Sequence, residues 1–272
     1  MKYKLFISDF DGTLLRSDGT ISERTKQAIA RYNSSGGTFA VCTGRMLCSI
    51  LPRLKELGIE SGLVVAYQGA MIANIKTGKL LKNEGFACED ALKVIRLLEA
   101  DGRHIHVYAD DNFYCNRDDE LLHTYEKICG VKGEVIEGLL SDMVAVNRLN
   151  VTKILAMTAP AERDGLREKL SRALGERFYV TTSSEWLVEV MPAGQSKASA
   201  VDFLGEYYGI PQGEIAAIGD QLNDLPMIER AGGKFTVENG EAELKVGAIA
   251  VPSNDDDGVA FAIENYAIGV KK

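Results

Sequence analysis

Several things are scarce in this chain. Its five cysteines, Cys42, Cys48, Cys88, Cys115 and Cys129, are odd in number and contain no C-x-x-C pair, so they read as reduced thiols of a cytosolic protein rather than a disulfide framework. Basic residues do not dominate: the net charge is −8, which argues against nucleic acid and anionic membrane as partners. No apolar run approaches the roughly 18 residues of a membrane-crossing helix. The N-terminus enters a strand directly, without a signal-peptide pattern. There are three histidines and no internal repeats or low-complexity tracts. These absences leave a cytoplasmic globular protein, and the 46% apolar content supplies its core. At 272 residues the chain fits one large domain or two modest ones.

What is present begins at once. The apolar stretch Tyr3–Ser8 runs into Asp9-Phe10-Asp11-Gly12-Thr13. Carboxylates at i and i+2 cannot continue a buried strand, because a buried charge is costly unless paired or metal-bound. They belong at the strand's C-terminal end, the edge where open α/β folds collect ligands.

Strands and helices alternate at both ends of the chain. The pattern predicts a strand over 3–8, a helix near 22–35 closed by Gly36-Gly37, a strand over 38–42, a helix near 46–57 and a strand over 63–66. The style resumes with a helix near 196–208 and a strand over 215–218. Strands near 235–237 and 248–251 then alternate with helices near 241–246 and 257–267. These strands are mostly apolar, as in a parallel sheet covered on both faces. Residues 84–189 differ. They are more polar, and strands there, such as the alternating His104–Tyr108 ahead of an Asp110-Asp111-Asn112 turn, read as half-exposed. Helices near 89–101, 118–129 and 160–175, with strands near 152–158, 177–182 and 186–191, make an α+β unit. The expected fold is thus an α/β core from 1–83 and 190–272, with a parallel sheet flanked by helices, and a second domain inserted at 84–189.

Four polar clusters fall at strand ends or helix starts of the core halves: Asp9 with Asp11; Thr43-Gly44-Arg45; Lys197; and Gly219-Asp220-Gln221-Leu222-Asn223-Asp224. Each alone admits a plainer reading. The aspartate pair could make a capped turn, Thr43 could cap a helix, Lys197 could be solvated, and Asp220 and Asp224 could favour a helix dipole. Together, at one sheet edge, they assemble carboxylates for a divalent cation, a hydroxyl and turn for an oxyanion, and a lysine for excess negative charge. Phosphoryl transfer needs those parts, since its catalysis is positioning plus electrostatic stabilisation. Oxygen ligands without Cys or His suit a hard cation, Mg2+ in particular.

With these motifs in order, DFDGT at 9–13, TGR at 43–45, Lys197 and GDQLND at 219–224, the sequence resembles the haloacid dehalogenase superfamily. Within it the likeness is to Cof-type phosphatases with a large inserted C2B cap. Ala66–Ala70, Leu187–Pro192 and Asn254–Ala260 strengthen the likeness, as does Thr152–Leu155 in the cap. The resemblance implies a Rossmann-like core, with a cap that sets substrate specificity. The implied reaction is Mg2+-dependent hydrolysis of phosphomonoesters of small metabolites, sugar phosphates first, through an aspartyl-phosphate. It implies that Asp9 is nucleophile and metal ligand, and that Asp11 is general acid/base with its carbonyl on the metal. Asp220 would be the remaining protein ligand, with Asp224 in support. Phe10, Thr43, Gly44, Lys197 and Asn223 would hold the phosphoryl group, and Arg45 and Asn239 are possible substrate contacts. The implied partner is a small phosphorylated metabolite, with the protein a monomer or weak homodimer.

The chain departs from the family pattern at Gln68, where Asn is usual, and at Glu238 beside Asn239. Both bear on substrate preference more than on activity. Other features read more simply as structure. His104 and His106 form part of a half-exposed strand, His123 lies in the cap, Cys42 is a buried strand thiol, and Tyr179 and Trp186 pack the cap or hinge. Asp255-Asp256-Asp257 lacks EF-hand spacing and reads as a helix N-terminus. Arg45 either reaches substrate or braces its loop. Two alternatives stay open: a phosphomutase using the same chemistry, and a phosphate-sensing receiver-like module, against which Asp11 and the cap both speak.

Overall fold

Short apolar runs separated by amphipathic helices build the outer parts of the fold. The structure, a computed structural model, describes residues 1–268. Strand β1 (Leu5–Ser8) is buried at every position. In helix α1 (Glu23–Ser34), Ser22 caps the N-terminus by accepting from the Thr25 amide, and Thr25, Ala28, Ile29 and Tyr32 form the buried face. Strand β2 (Thr38–Cys42), helix α2 (Leu47–Glu56) and strands β3 (Leu63–Ala66), β4 (Met71–Asn74) and β5 (Leu80–Asn83) follow. The middle carries α3 (Cys88–Ala100), β6 (His104–Ala109), β7 (Asn112–Cys115), α4 (Glu120–Cys129) and β8 (Glu134–Val135). After these come α5 (Leu140–Asn147), β9 (Val151–Met157), α6 (Arg163–Leu174), β10 (Phe178–Ser184) and β11 (Leu187–Pro192). The last part holds α7 (Lys197–Tyr208), β12 (Ile215–Gly219), α8 (Leu225–Arg230), β13 (Gly233–Val237) and α9 (Ala242–Lys245). It closes with β14 (Ile249–Val251) and α10 (Gly258–Ala262), which runs into a π turn over Ile263–Ala267.

The fold is mixed α/β, with two sheets flanked by helices. One sheet has the order β14-β13-β12-β1-β2-β3-β4-β5 and the other β10-β11-β9-β6-β7-β8. The chain divides into two compact units. The first takes Met1–Gly44, Leu51–Lys82 and the stretch from Ser196, and the second Arg45–Ile50 and Asn83–Gln195. In the first, β14 through β3 run parallel, and β4 turns back antiparallel on β3. Leu5, Ile7, Ala40, Val65, Ala200, Leu204 and Ala217 belong to its core. The register fixes where this sheet ends. Ser8 lies level with Ile218 on one side and Val41 on the other, so Asp9, Gly219 and Cys42 come next together. Asp9, Thr43 and Asp220 therefore leave the sheet at the same C-terminal edge.

The second unit packs helices on one face of its sheet, around Val94, Leu98, Val107, Ile154, Val188 and Leu170. Its strands correct the expectation of half-exposure: every residue of β6 and β9 is buried. Both are central strands with neighbours on either side, and the polar side chains on the face away from these helices are covered too. The unit also extends past 189 to Gln195, because β11 runs to Pro192 and pairs with β9 and β10. The Asp110-Asp111 turn joins β6 to β7 with both residues at positive φ, as a two-residue hairpin requires. Strands β4, β5 and β8 and helices α5 and α8 add elements that the apolar periodicity does not announce.

Candidate active site

Four ionisable side chains are packed into the C-terminal edge of the first unit's sheet. Asp9 follows β1, Asp220 and Asp224 follow β12, and Lys197 opens α7. All four are buried, at 6%, 5%, 0% and 0% exposure, so none is a solvated helix-end charge. The Lys197 ammonium donates to Asp9 Oδ1 and Asp224 Oδ1. The other Asp224 oxygen accepts from the amides of Asp220 (2.9 Å) and Gln221 (3.0 Å), so Asp224 braces the 220–224 turn. Thr13 Oγ1 donates to Asp220 Oδ1 at 2.6 Å. That contact ties the two motifs together and gives Thr13 a role that its place in DFDGT does not announce. Gly12 sits at φ 76° beside the Asp220 carboxylate, where an added Cβ would lie 2.5 Å from Oδ2. A residue without a side chain is needed there on both counts.

The electrostatics follow from this crowding. Burial pushes the Asp9 carboxyl well above the usual carboxylate range, and Asp224, Asp220 and Asp11 push it further, against the pull of Lys197. Burial likewise raises Asp220 to about 7, with Asp224 adding to it and Thr13 and Lys197 opposing. Lys197 loses hydration, which works against its charge. The neighbouring Asp224 and Asp9 outweigh that and hold it firmly protonated. Three buried carboxylates thus face one lysine. Asp9, Asp220 and Asp224 offer oxygens that all lie within 4.8 Å of one another, the donor set a hard divalent cation takes. The residues fit such an ion.

The remaining sequence candidates are distributed as follows. Phe10 is buried, and its carbonyl accepts from the amides of Leu14 and Leu15, which curls the chain directly after Asp9. Asp11 is exposed on that curl. The buried Thr43 follows β2, with its amide on Val65 O at 2.8 Å. Asn223 lies in the 220–224 turn and donates to Gln68 Oε1 at 3.1 Å. Gln68 is therefore part of this cluster, and the only hint in the sequence was its departure from the usual Asn. Asn239 donates to the Gly12 carbonyl (2.8 Å) and accepts from the Asn254 amide (3.0 Å), so its amide holds the turn after Asp11. Asp255 accepts from the amide and hydroxyl of Ser17, and Asp257 pairs with Arg16 at 2.9 Å. That acidic run anchors the segment behind the motif, a role its reading as a helix N-terminus did not include. Arg45 belongs to the second unit, where it donates to the Ile128 carbonyl at 3.1 Å.

A family model described as haloacid dehalogenase-like hydrolase matches residues 6–263. The chain belongs to this family. This haloacid dehalogenase-like hydrolase is 29% identical to the 5-amino-6-(5-phospho-D-ribitylamino)uracil phosphatase of Bacillus subtilis, over 98% of this chain and 99% of the relative. It is also 29% identical to the HMP-PP phosphatase of Cronobacter sakazakii, over 87% of this chain and 84% of that one. Among solved structures, TM0651 from Thermotoga maritima superposes with a TM-score of 0.79 at 31% identity, covering 96% of each chain. The hydrolase is thus an enzyme whose relatives act on phosphorylated small molecules. No helix among the described residues is long and apolar enough to cross a membrane.

Proposed function

We propose that this hydrolase is a Mg2+-dependent phosphatase of small phosphorylated metabolites that works through an aspartyl-phosphate on Asp9. The observation that carries this is the imbalance at the sheet edge: three buried carboxylates against one lysine, all placed by strand ends and one helix start. A divalent cation on Asp9, Asp220 and the Asp11 carbonyl, with Asp224 behind them, would supply positive charge for the phosphoryl oxygens. Asp9 attacks phosphorus through a carboxylate oxygen, and the bond from phosphorus to the substrate oxygen breaks. Asp11, exposed on the curl beyond Asp9, gives its proton to that leaving oxygen. It then takes a proton from the water that attacks phosphorus, the bond from phosphorus to the Asp9 oxygen breaks, and phosphate leaves. Lys197 already donates to Asp9 and shares its charge with a phosphoryl group there, while Thr43, the Phe10 and Gly44 amides and Asn223 hold the remaining oxygens. The second unit is proposed as the cap that selects the leaving group. The named activities of the two curated relatives support metabolite phosphates as the substrate class.

The test is release of inorganic phosphate from p-nitrophenyl phosphate and from a panel of metabolite phosphates with Mg2+, with and without EDTA. Turnover that EDTA abolishes and Mg2+ restores is expected. No release across the panel with Mg2+ present overturns the reading.

A further inference from the structure

Gln68 occupies a strained position next to the phosphoryl-binding residues named above. Tyr67 and Gln68 both have left-handed backbones, with φ of 50° and 58°, although neither is glycine. Strain of this kind persists where surrounding contacts over-determine it, and it gathers at functional sites. The contacts are on hand. The Gln68 amide donates to the Thr43 carbonyl at 3.0 Å, and its Oε1 accepts from Asn223 Nδ2 at 3.1 Å. Its Nε2 lies where a Cβ on Gly44 would be only 2.6 Å away. Gln68 is wholly buried, and Asn223 is 5% exposed. One residue thus touches Thr43, Gly44 and Asn223, three positions assigned to the phosphoryl group.

The second observation concerns Asn223. Its Oδ1 is buried and has no hydrogen-bond partner. Carboxamide oxygen and nitrogen are nearly the same size, so which end points where is fixed only by the partners each end finds. Reversing both amides keeps the Asn223–Gln68 hydrogen bond, now donated by Gln68 Nε2 to Asn223 Oδ1, and puts the Asn223 NH2 at the unpartnered position. A donor there is what a phosphoryl oxygen requires.

We infer that Gln68 is a positioning residue for the phosphoryl pocket: it grips one end of the Asn223 carboxamide so that the other end can donate to a phosphoryl oxygen. This rests on the phosphatase reading above. It replaces the expectation that the Gln68 departure bears mainly on substrate preference, because the side chain acts on the invariant part of any phosphomonoester, its phosphoryl group.

The probe is inorganic phosphate, its dissociation constant measured by calorimetry with Mg2+ on the full chain. The wild type comes first: if it neither binds phosphate nor releases it from any substrate, the phosphatase reading fails and this inference falls with it. Given wild-type binding, Gln68→Leu is expected to weaken phosphate about tenfold, the scale of one hydrogen bond to a charged partner. Asn223→Ala should weaken it similarly, and the double variant no further than either alone. A merely structural role for Gln68 would multiply with Asn223→Ala, and that result, or wild-type binding by Gln68→Leu, overturns the inference. Should Gln68→Leu fail to fold, Gln68→Glu keeps the shape. It can accept from Asn223 but cannot donate, so it fixes the unproductive orientation and should weaken phosphate by at least about tenfold. Wild-type affinity in Gln68→Glu overturns the inference equally.

Discussion

The two units of this hydrolase both bury charge, and they do so in opposite ways. In the first, Asp9, Asp220 and Asp224 gather around the buried Lys197. In the second, Lys153 pairs with Glu189 at 3.1 Å, Ser183 donates to the same Glu189 oxygen at 2.8 Å, and the Lys153 ammonium sits 4.5 Å from the Tyr108 ring centre. The second arrangement joins opposite charges directly. The first sets three carboxylates against one ammonium, an excess that a proton or a bound cation would relieve. Burial alone does not mark a site of chemistry, since Lys153 and Lys197 are equally hidden. The uncompensated remainder marks it, because a protein retains unfavourable charge where function requires it.

The largest effect expected from this contrast is on turnover. Asp9→Asn should lower phosphate release by at least about a thousandfold, the scale on which loss of a nucleophile acts. The same variant should raise the melting temperature of the metal-free protein. Burial and neighbouring carboxylates hold the Asp9 carboxyl well above its ordinary range, so its ionised form opposes folding at neutral pH. Loss of activity together with gained stability distinguishes an overloaded site from a structural ion pair. Full activity in Asp9→Asn would break the nucleophile assignment, and a fall in metal-free melting temperature would break the argument from excess charge.

The Lys153–Glu189 pair should behave in the other direction. Lys153→Met takes a cation away from the buried Glu189 carboxylate and should cost about 3–5 kcal/mol in urea unfolding. Joining it to Glu189→Leu should recover most of that loss, since replacing both partners of a buried pair by apolar groups is often close to neutral. A single variant within about 1 kcal/mol of wild type would mean that Lys153 and Glu189 do not depend on each other, and the contrast between the units would lose its second half.

How much of this was legible in the sequence follows the same division. Asp9, Asp220 and Lys197 could be placed at one sheet edge because each follows a short apolar strand or opens a helix, and the strand ends share one register. The core strands could be read because burial on both faces leaves a continuous apolar run. In β6 that signal fails: His104, His106 and Tyr108 alternate with Ile105, Val107 and Ala109, so the strand looks half-exposed. It is buried throughout, because its polar side chains find partners in one another, in Asp119 and in Tyr125. The Gln68–Asn223 contact spans 155 residues, and the Asn239–Gly12 contact spans 227. No local pattern carries contacts of that range. The Gln68 departure showed that something differed there, and only the fold shows what it touches.

The smallest expected effect tests that polar face of the second unit. His106 is packed against Phe113, with ring centres 4.9 Å apart, and against Tyr125 at 5.0 Å. Its Nε2 lies 3.2 Å from that of His104, which in turn faces Asp119 at 3.1 Å. Burial drives the His106 pKa well below 6.5, and the nearby His104 and Lys153 lower it further. His104 is also lowered, by burial, with Asp119 opposing. An imidazole kept neutral in the folded state gives up no stability above the unfolded pKa near 6.5. Below that pH the unfolded chain takes up a proton that the folded one refuses, so stability falls as the solution is acidified. The slope is at most about 1.4 kcal/mol per pH unit for each such histidine. Urea unfolding between pH 7.5 and 5 should therefore show an acid loss, and His106→Phe, which keeps the ring packing, should flatten it. If His106→Phe leaves the pH dependence of unfolding unchanged, the neutral His106 is not the second unit's acid-sensitive element, and the His104–Asp119 pair is the next group to vary.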